Sequence, residues 1–141
     1  MRNNKYIEAL LYNYNRNKVD IKNMKLDLEV LENDYQGVGA IVYEERTQAT
    51  NAFTSSVENE IIRRDEKIIK LRNDIRLKEI EVQKIDNIVE SLSDKEQQFI
   101  RLKYFEKNTH NQISEKIDIS FDYINEYRLK TLNKISRFIL E

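Results

Sequence analysis

Apolar side chains return every seven residues along most of the chain. Ile7, Tyr14, Ile21, Leu28 and Tyr35 form one row, and Leu10, Asn17, Met24 and Leu31 fill the positions between. A stripe this narrow over residues 3–35 predicts a long amphipathic helix. Asn17 is the single polar residue on that seam, either a device that fixes register or a solvated position. A second heptad runs from about Ser55 to Leu92. Ile61, Ile68, Ile75, Val82 and Val89 make its first row, and Val57, Leu71, Ile85 and Leu92 its companion, interrupted by Arg64 and Lys78. At ~1.5 Å per residue this helix would be on the order of 55 Å long.

Between the two heptads, the stretch DYQGVGAIVYEERTQATNAFTS loses the period and holds Gly37 and Gly39, the only glycines in the protein. It predicts the chain reversal, a loop near 36–54 in which Ile41, Val42 and Phe53 pack across the helix ends. The two stripes are then expected to meet as an antiparallel helical hairpin, a coiled-coil stalk over residues 1–91. Ile61, Ile68, Leu71, Ile75, Val82 and Ile85 would form the seam of that hairpin or of a dimer. Ile62, Ile69, Leu77, Ile80 and Ile88 exceed what a two-helix pair covers, so a second copy or the C-terminal helices are expected to bury them.

Residues 92–141 change character, to three short helices beginning at Ser93, Thr109 and Ser120, each a side-chain oxygen able to cap free backbone N–H groups. Ser93 is followed three residues on by Glu96 and Thr109 by Gln112, the spacing of a capping box. Ile113 and Ile117 on one helix, Ile119 in the turn, and Ile124, Thr131 and Ile135 on the next would make two short helices cross over one small core. That is a helix-turn-helix pattern. Ser114 stands where the crossing is tightest, and Asp118 where the turn calls for a left-handed backbone.

The run LSDKEQQFIRLKYFEKNTHNQISEKIDIS, with the helix that follows, resembles region four of the sigma-70 family, the part of a sigma factor that reads the upstream promoter element. A helical front half, a mid-chain glycine loop and this C-terminal module together look like the ArpU/RinA group of phage late-gene transcriptional regulators. The sequence departs from the pattern at Asp118, where such modules usually place Gly, and at Arg128, where they usually place a core Leu. No stretch resembles the sigma region that grips core polymerase and melts promoter DNA.

Composition narrows the alternatives. Of 141 residues 35 % are charged and none is Pro, which suits long solvated helices better than a sheet. With no Cys, one His and two Gly, the chain lacks parts for thiol chemistry, nucleophilic triads, His-containing metal sites or a glycine-rich phosphate loop. The expectation is an all-α protein that is not an enzyme and needs no cofactor or metal. Its N-terminus has no apolar signal run and no stretch approaches the roughly 20 apolar residues that span a bilayer, so a cytoplasmic protein without membrane contact is expected. Net charge is −1, and residues 93–141 hold nine Lys/Arg against eight Asp/Glu. Phosphate neutralisation supplies most duplex affinity, so one copy should bind weakly and two copies better.

The resemblance implies sequence-specific binding of double-stranded DNA by a homodimer that controls phage or prophage late genes. The helix after Ser120 would enter the major groove, with Phe121, Asp122, Tyr123 and Asn125 approaching base edges and Asn suited to adenine. Lys107, Asn111, Lys130 and Lys134 would hold phosphates. Arg128 joins this set, its face left open between groove and core. The rival expectation keeps the same fold as a protein-interaction module. There Asp122 and Glu126 oppose phosphate, and Phe121, Tyr123 and Tyr127 dock RNA polymerase or another phage or host factor.

Overall fold

A computed structural model describes residues 4–45 and 51–139, with side chains assigned in those ranges outside 34–55. The protein is all-α, with no strand among the described residues. The elements are α1 (Asn4–Tyr12), α2 (Tyr14–Glu45), α3 (Asn51–Glu90), α4 (Asp94–Ile100), a π-helical turn (Arg101–Phe105), α5 (His110–Lys116) and α6 (Phe121–Ser136). Helical hydrogen bonds continue across Asn13, whose N–H donates to Ala9 O at 3.0 Å while its carbonyl accepts from Asn17 N at 2.8 Å. The first heptad is therefore carried through α1 into α2, as its spacing predicts.

Helix replaces much of the expected loop. α2 runs to Glu45 and α3 starts at Asn51, so Gly37 and Gly39 lie inside a helix. Each Gly costs about 1 kcal/mol relative to Ala in a helix interior. Over the 32 residues of α2 that penalty is too small to end the helix. The side chains of Tyr35, Ile41, Val42 and Phe53 lie outside the described residues.

The chain forms two compact units. One consists of Val19–Glu79. Within it Asp20 pairs with Lys78, Lys25 with Glu79 and Glu32 with Arg72, at 3.5, 3.5 and 2.6 Å. Asp20 meets Lys78 while Glu32, further along α2, meets the earlier Arg72, so the two segments run antiparallel here. On α3 Val57, Ile68 and Ile75 are buried and Ile61 and Leu71 half-buried, and on α2 Ile21, Met24, Leu28 and Leu31 are half-buried. The two polar interruptions of the α3 row are paired, Arg64 with Glu60 at 3.1 Å and Lys78 with Asp20. Ile62, Ile69 and Leu77, and on α2 Val19, Leu26 and Val30, remain more than half exposed. The burial expected for Ile62, Ile69 and Leu77 is thus not met within one chain.

The other unit consists of Met1–Lys18 with Ile80–Glu141, so it takes in more chain than the expected module beginning at residue 92. Its core joins Ile7 and Leu11 of α1 and Ile85, Ile88 and Val89 of α3 to Phe99, Tyr104, Ile113, Ile119, Ile124, Leu132 and Ile135. Ile7 and Leu11 are completely buried. The reason is one of supply: three short helices close little apolar surface, and small cores are marginal. Val82 is half-buried, and Ile85 serves this core instead of a stalk seam.

Local rules set the short helices. The Ser93 hydroxyl accepts from Glu96 N while the Glu96 carboxylate accepts from Ser93 N, and Thr109 and Gln112 repeat the arrangement. Ser120 has the extended backbone of an N-cap but no side-chain capping bond. Between α5 and α6 the predicted left-handed residue is absent. Ile117 is extended, and Ile119 N donates to Ile117 O at 2.8 Å, closing an inverse γ-turn around Asp118 at negative φ. The positive φ sits instead at Lys107, with φ 59°, beyond the π-helical turn.

Candidate nucleic-acid interface

The face of α6 is decided by its apolar spacing. Ile124, Thr131, Leu132, Ile135 and Ser136 point into the core. The opposite rows, at three- and four-residue steps, leave Asp122, Asn125, Glu126, Leu129, Lys130 and Asn133 exposed. α5 crosses α6 through fully buried Ile113 and leaves Asn111 exposed, while exposed Lys107 lies in the connection before α5. Ser114, placed by sequence at the crossing, donates its hydroxyl to His110 O at 3.0 Å within its own helix.

The structure sorts the candidate residues into two groups. Lys107, Asn111, Phe121, Asp122, Asn125 and Lys130 are exposed, with Phe121 at 55 %. Tyr123, Arg128 and Lys134 have other tasks. Tyr123 is half-buried and its hydroxyl accepts from Lys130 Nζ at 2.7 Å, a bond that raises the lysine pKa. Lys134 binds both oxygens of buried Glu96, at 3.0 and 2.9 Å, so its charge is paired within the protein although its side chain is exposed. Burial alone would raise the Glu96 pKa, but the hydrogen bonds from Lys134 and Ser93 prevail and hold it below the ordinary carboxylate value. Tyr127 packs edge-on against buried Phe99, with ring centroids 5.2 Å apart, and is no exposed anchor.

Arg128 belongs neither to the exposed rows of α6 nor to the apolar core. Its Nη1 donates to Glu8 Oε1 at 3.0 Å, and Nε and Nη2 donate to Asn125 Oδ1 at 3.2 and 3.1 Å. The other Glu8 oxygen accepts from the hydroxyl of Tyr104 at 2.7 Å. Tyr104 has no exposed surface and its ring meets Tyr12 edge-on, so a polar strand of four residues crosses from α1 to the outside of α6. Burial, reinforced by the bond to Glu8, pushes the Tyr104 phenol well above its usual range. Beside this strand Lys103 Nζ donates to His110 Nε2 at 3.1 Å, which requires a neutral imidazole. Burial first, then the charges of Lys103 and Arg128, lowers the His110 pKa.

No protein-family model, curated protein or solved structure matches the chain. The geometry therefore carries the functional argument. Among the described residues no group of three or more His, Cys, Asp or Glu could hold a metal ion, and no helix is long and apolar enough to cross a membrane. What the site offers is an exposed polar face of α6 with mixed charge, together with exposed Lys107 before α5 and exposed Asn111 on it. Sequence reasoning missed Glu8 and Asn133. Asn133 was available from the period of α6. Glu8 carried no signal, because its partner Arg128 is 120 residues away.

Proposed function

We propose that this protein is a sequence-specific, double-stranded-DNA-binding regulator of transcription, in the manner of sigma region four and of the phage late-gene regulators it resembles. The observation that carries the reading is the divided face of α6. One side is spent on the core shared with α5, and the other presents Asp122, Asn125, Leu129 and Lys130 outward in the rows a major-groove helix uses. Lys107, Asn111 and Lys130 are the phosphate holders, whereas Lys134 serves Glu96 instead. Two copies joined through the exposed apolar positions of α3, Ile62 and Ile69, would double an otherwise small basic contribution. Docking of polymerase through α6 is the weaker reading, because of its three aromatic anchors only Phe121 stands free of the core.

A fluorescence-anisotropy titration tests the proposal, using a duplex from upstream of the protein's own gene and a scrambled duplex at two salt concentrations. Affinity should fall with salt, and Lys130→Glu should weaken both duplexes by a similar factor. Wild type without salt dependence or preference would refute DNA binding.

A further inference from the structure

Asn125 is held by a donor that has no choice of role. Arg128 carries only N–H donors and remains charged at any accessible pH, so the Asn125 atom that two of its nitrogens approach, at 3.2 and 3.1 Å, must be the amide oxygen. The guanidinium is itself anchored, with Nη1 on Glu8 at 3.0 Å and Glu8 on buried Tyr104 at 2.7 Å. These charge-assisted bonds tie an exposed side chain to the interior through α1. The oxygen of Asn125 is occupied, and its amide nitrogen, with two N–H donors, is no part of the network.

Free asparagine pairs with adenine because it both accepts from N6 and donates to N7. A donor-only asparagine loses the first bond. Guanine offers N7 and O6, two acceptors and no donor in the major groove, and its cytosine partner offers an N4 donor that a carboxylate accepts. Asp122 and Glu126, exposed beside Asn125 on the same face, supply carboxylates. We infer that Arg128 is a positioning residue that fixes Asn125 as a hydrogen-bond donor, so that α6 selects guanine over adenine at the base pair Asn125 meets. This rests on the major-groove reading of α6.

The test is selection from a pool of duplexes with a random central region, by full-length wild type and two variants, followed by sequencing of the bound fraction. Wild type should enrich a motif containing a position with guanine favoured over adenine by about tenfold. Asn125→Asp keeps the bonds to Arg128, and with it the fold, but removes the donor, so guanine preference should vanish at that position alone. Arg128→Met frees the amide oxygen, so adenine should rise there to parity with guanine or above it. A purely structural role for Arg128 would lower binding to every duplex and leave base preference unmoved, which overturns the inference. A motif whose Asn125→Asp-sensitive position is adenine also overturns it while leaving DNA binding intact. Should Arg128→Met fail to fold, the base lost in Asn125→Asp decides alone. No motif for wild type overturns the proposed function and the inference together.

Discussion

Replacing Leu11 by Ala asks whether the N-terminal helix belongs to the C-terminal core. Leu11 has no exposed surface and lies in one apolar cluster with Phe99, Tyr104 and Leu132. Removing its buried carbons loses ~0.8 kcal/mol each in transfer terms, and incomplete collapse of the cavity adds to that. The expected cost is about 3–4 kcal/mol, a large share of the 5–15 kcal/mol by which domains are typically stable. Leu26→Ala is the control, since Leu26 is 59 % exposed and should change stability by no more than about 0.5 kcal/mol. Urea unfolding followed by near-UV circular dichroism of tyrosine suits the question. The chain has no Trp, and six of its eight tyrosines, Tyr6, Tyr12, Tyr14, Tyr104, Tyr123 and Tyr127, lie in the unit formed by Met1–Lys18 and Ile80–Glu141. With a slope of about 1.5–2 kcal/mol per molar urea, the tyrosine midpoint should drop by roughly 2 M in Leu11→Ala. A midpoint no lower than that of Leu26→Ala would refute the assignment of α1 to the core.

Two other outcomes follow from the same structure. Light scattering of wild type at micromolar concentration should give about twice the chain mass, and Ile69→Asp, at a position 58 % exposed within one chain, should halve that mass without loss of helicity; a monomeric wild type removes the dimer. His110 has a folded pKa below its ordinary 6.5, so the folded state favours the neutral ring; the associated stability is present above about pH 6.5 and is lost as pH falls below it. Thermal midpoints of wild type should therefore decline between about pH 7 and 5.5, while His110→Gln stays flat over that window, and equal declines in both proteins would assign the effect elsewhere.

What the sequence made legible were the features written locally. Heptad spacing located α1–α3, the cap residues Ser93, Thr109 and Ser120 located the starts of α4, α5 and α6, and the isoleucines from Ile113 to Ile135 located the core between the last two. Features that depend on distant partners were not legible. Ile7 and Leu11 have the spacing of any coiled-coil seam, and nothing in that spacing says that Tyr104 and Leu132 are their neighbours. Arg128 reads as a displaced core position until Glu8 is seen opposite it. The turn misled for a different reason: a γ-turn at negative φ suits Asp118 as well as a left-handed residue would, and sequence does not separate them. Of the nine residues assigned to DNA, five make side-chain bonds within the protein: Arg128 and Lys134 with Glu8 and Glu96, distant in sequence, and Asn125 with Arg128 and Tyr123 with Lys130 along α6 itself.

The core that joins Ile7 and Leu11 to Leu132 and Ile135 also sets the order of events on the ribosome. Residues 19–79 can find their partners as soon as they emerge, but Ile7 and Leu11, synthesised before them, must wait for Leu132 and Ile135. At about 5–20 residues per second that delay is roughly 6–25 s, during which the earliest apolar surface has no native mate. The Glu8–Arg128 pair, 120 residues apart, is among the last contacts available, and so high a sequence separation slows folding relative to bundles with local contacts. The polar network that runs from Glu8 through Arg128 to Asn125 is thus completed only after residue 128 has been made.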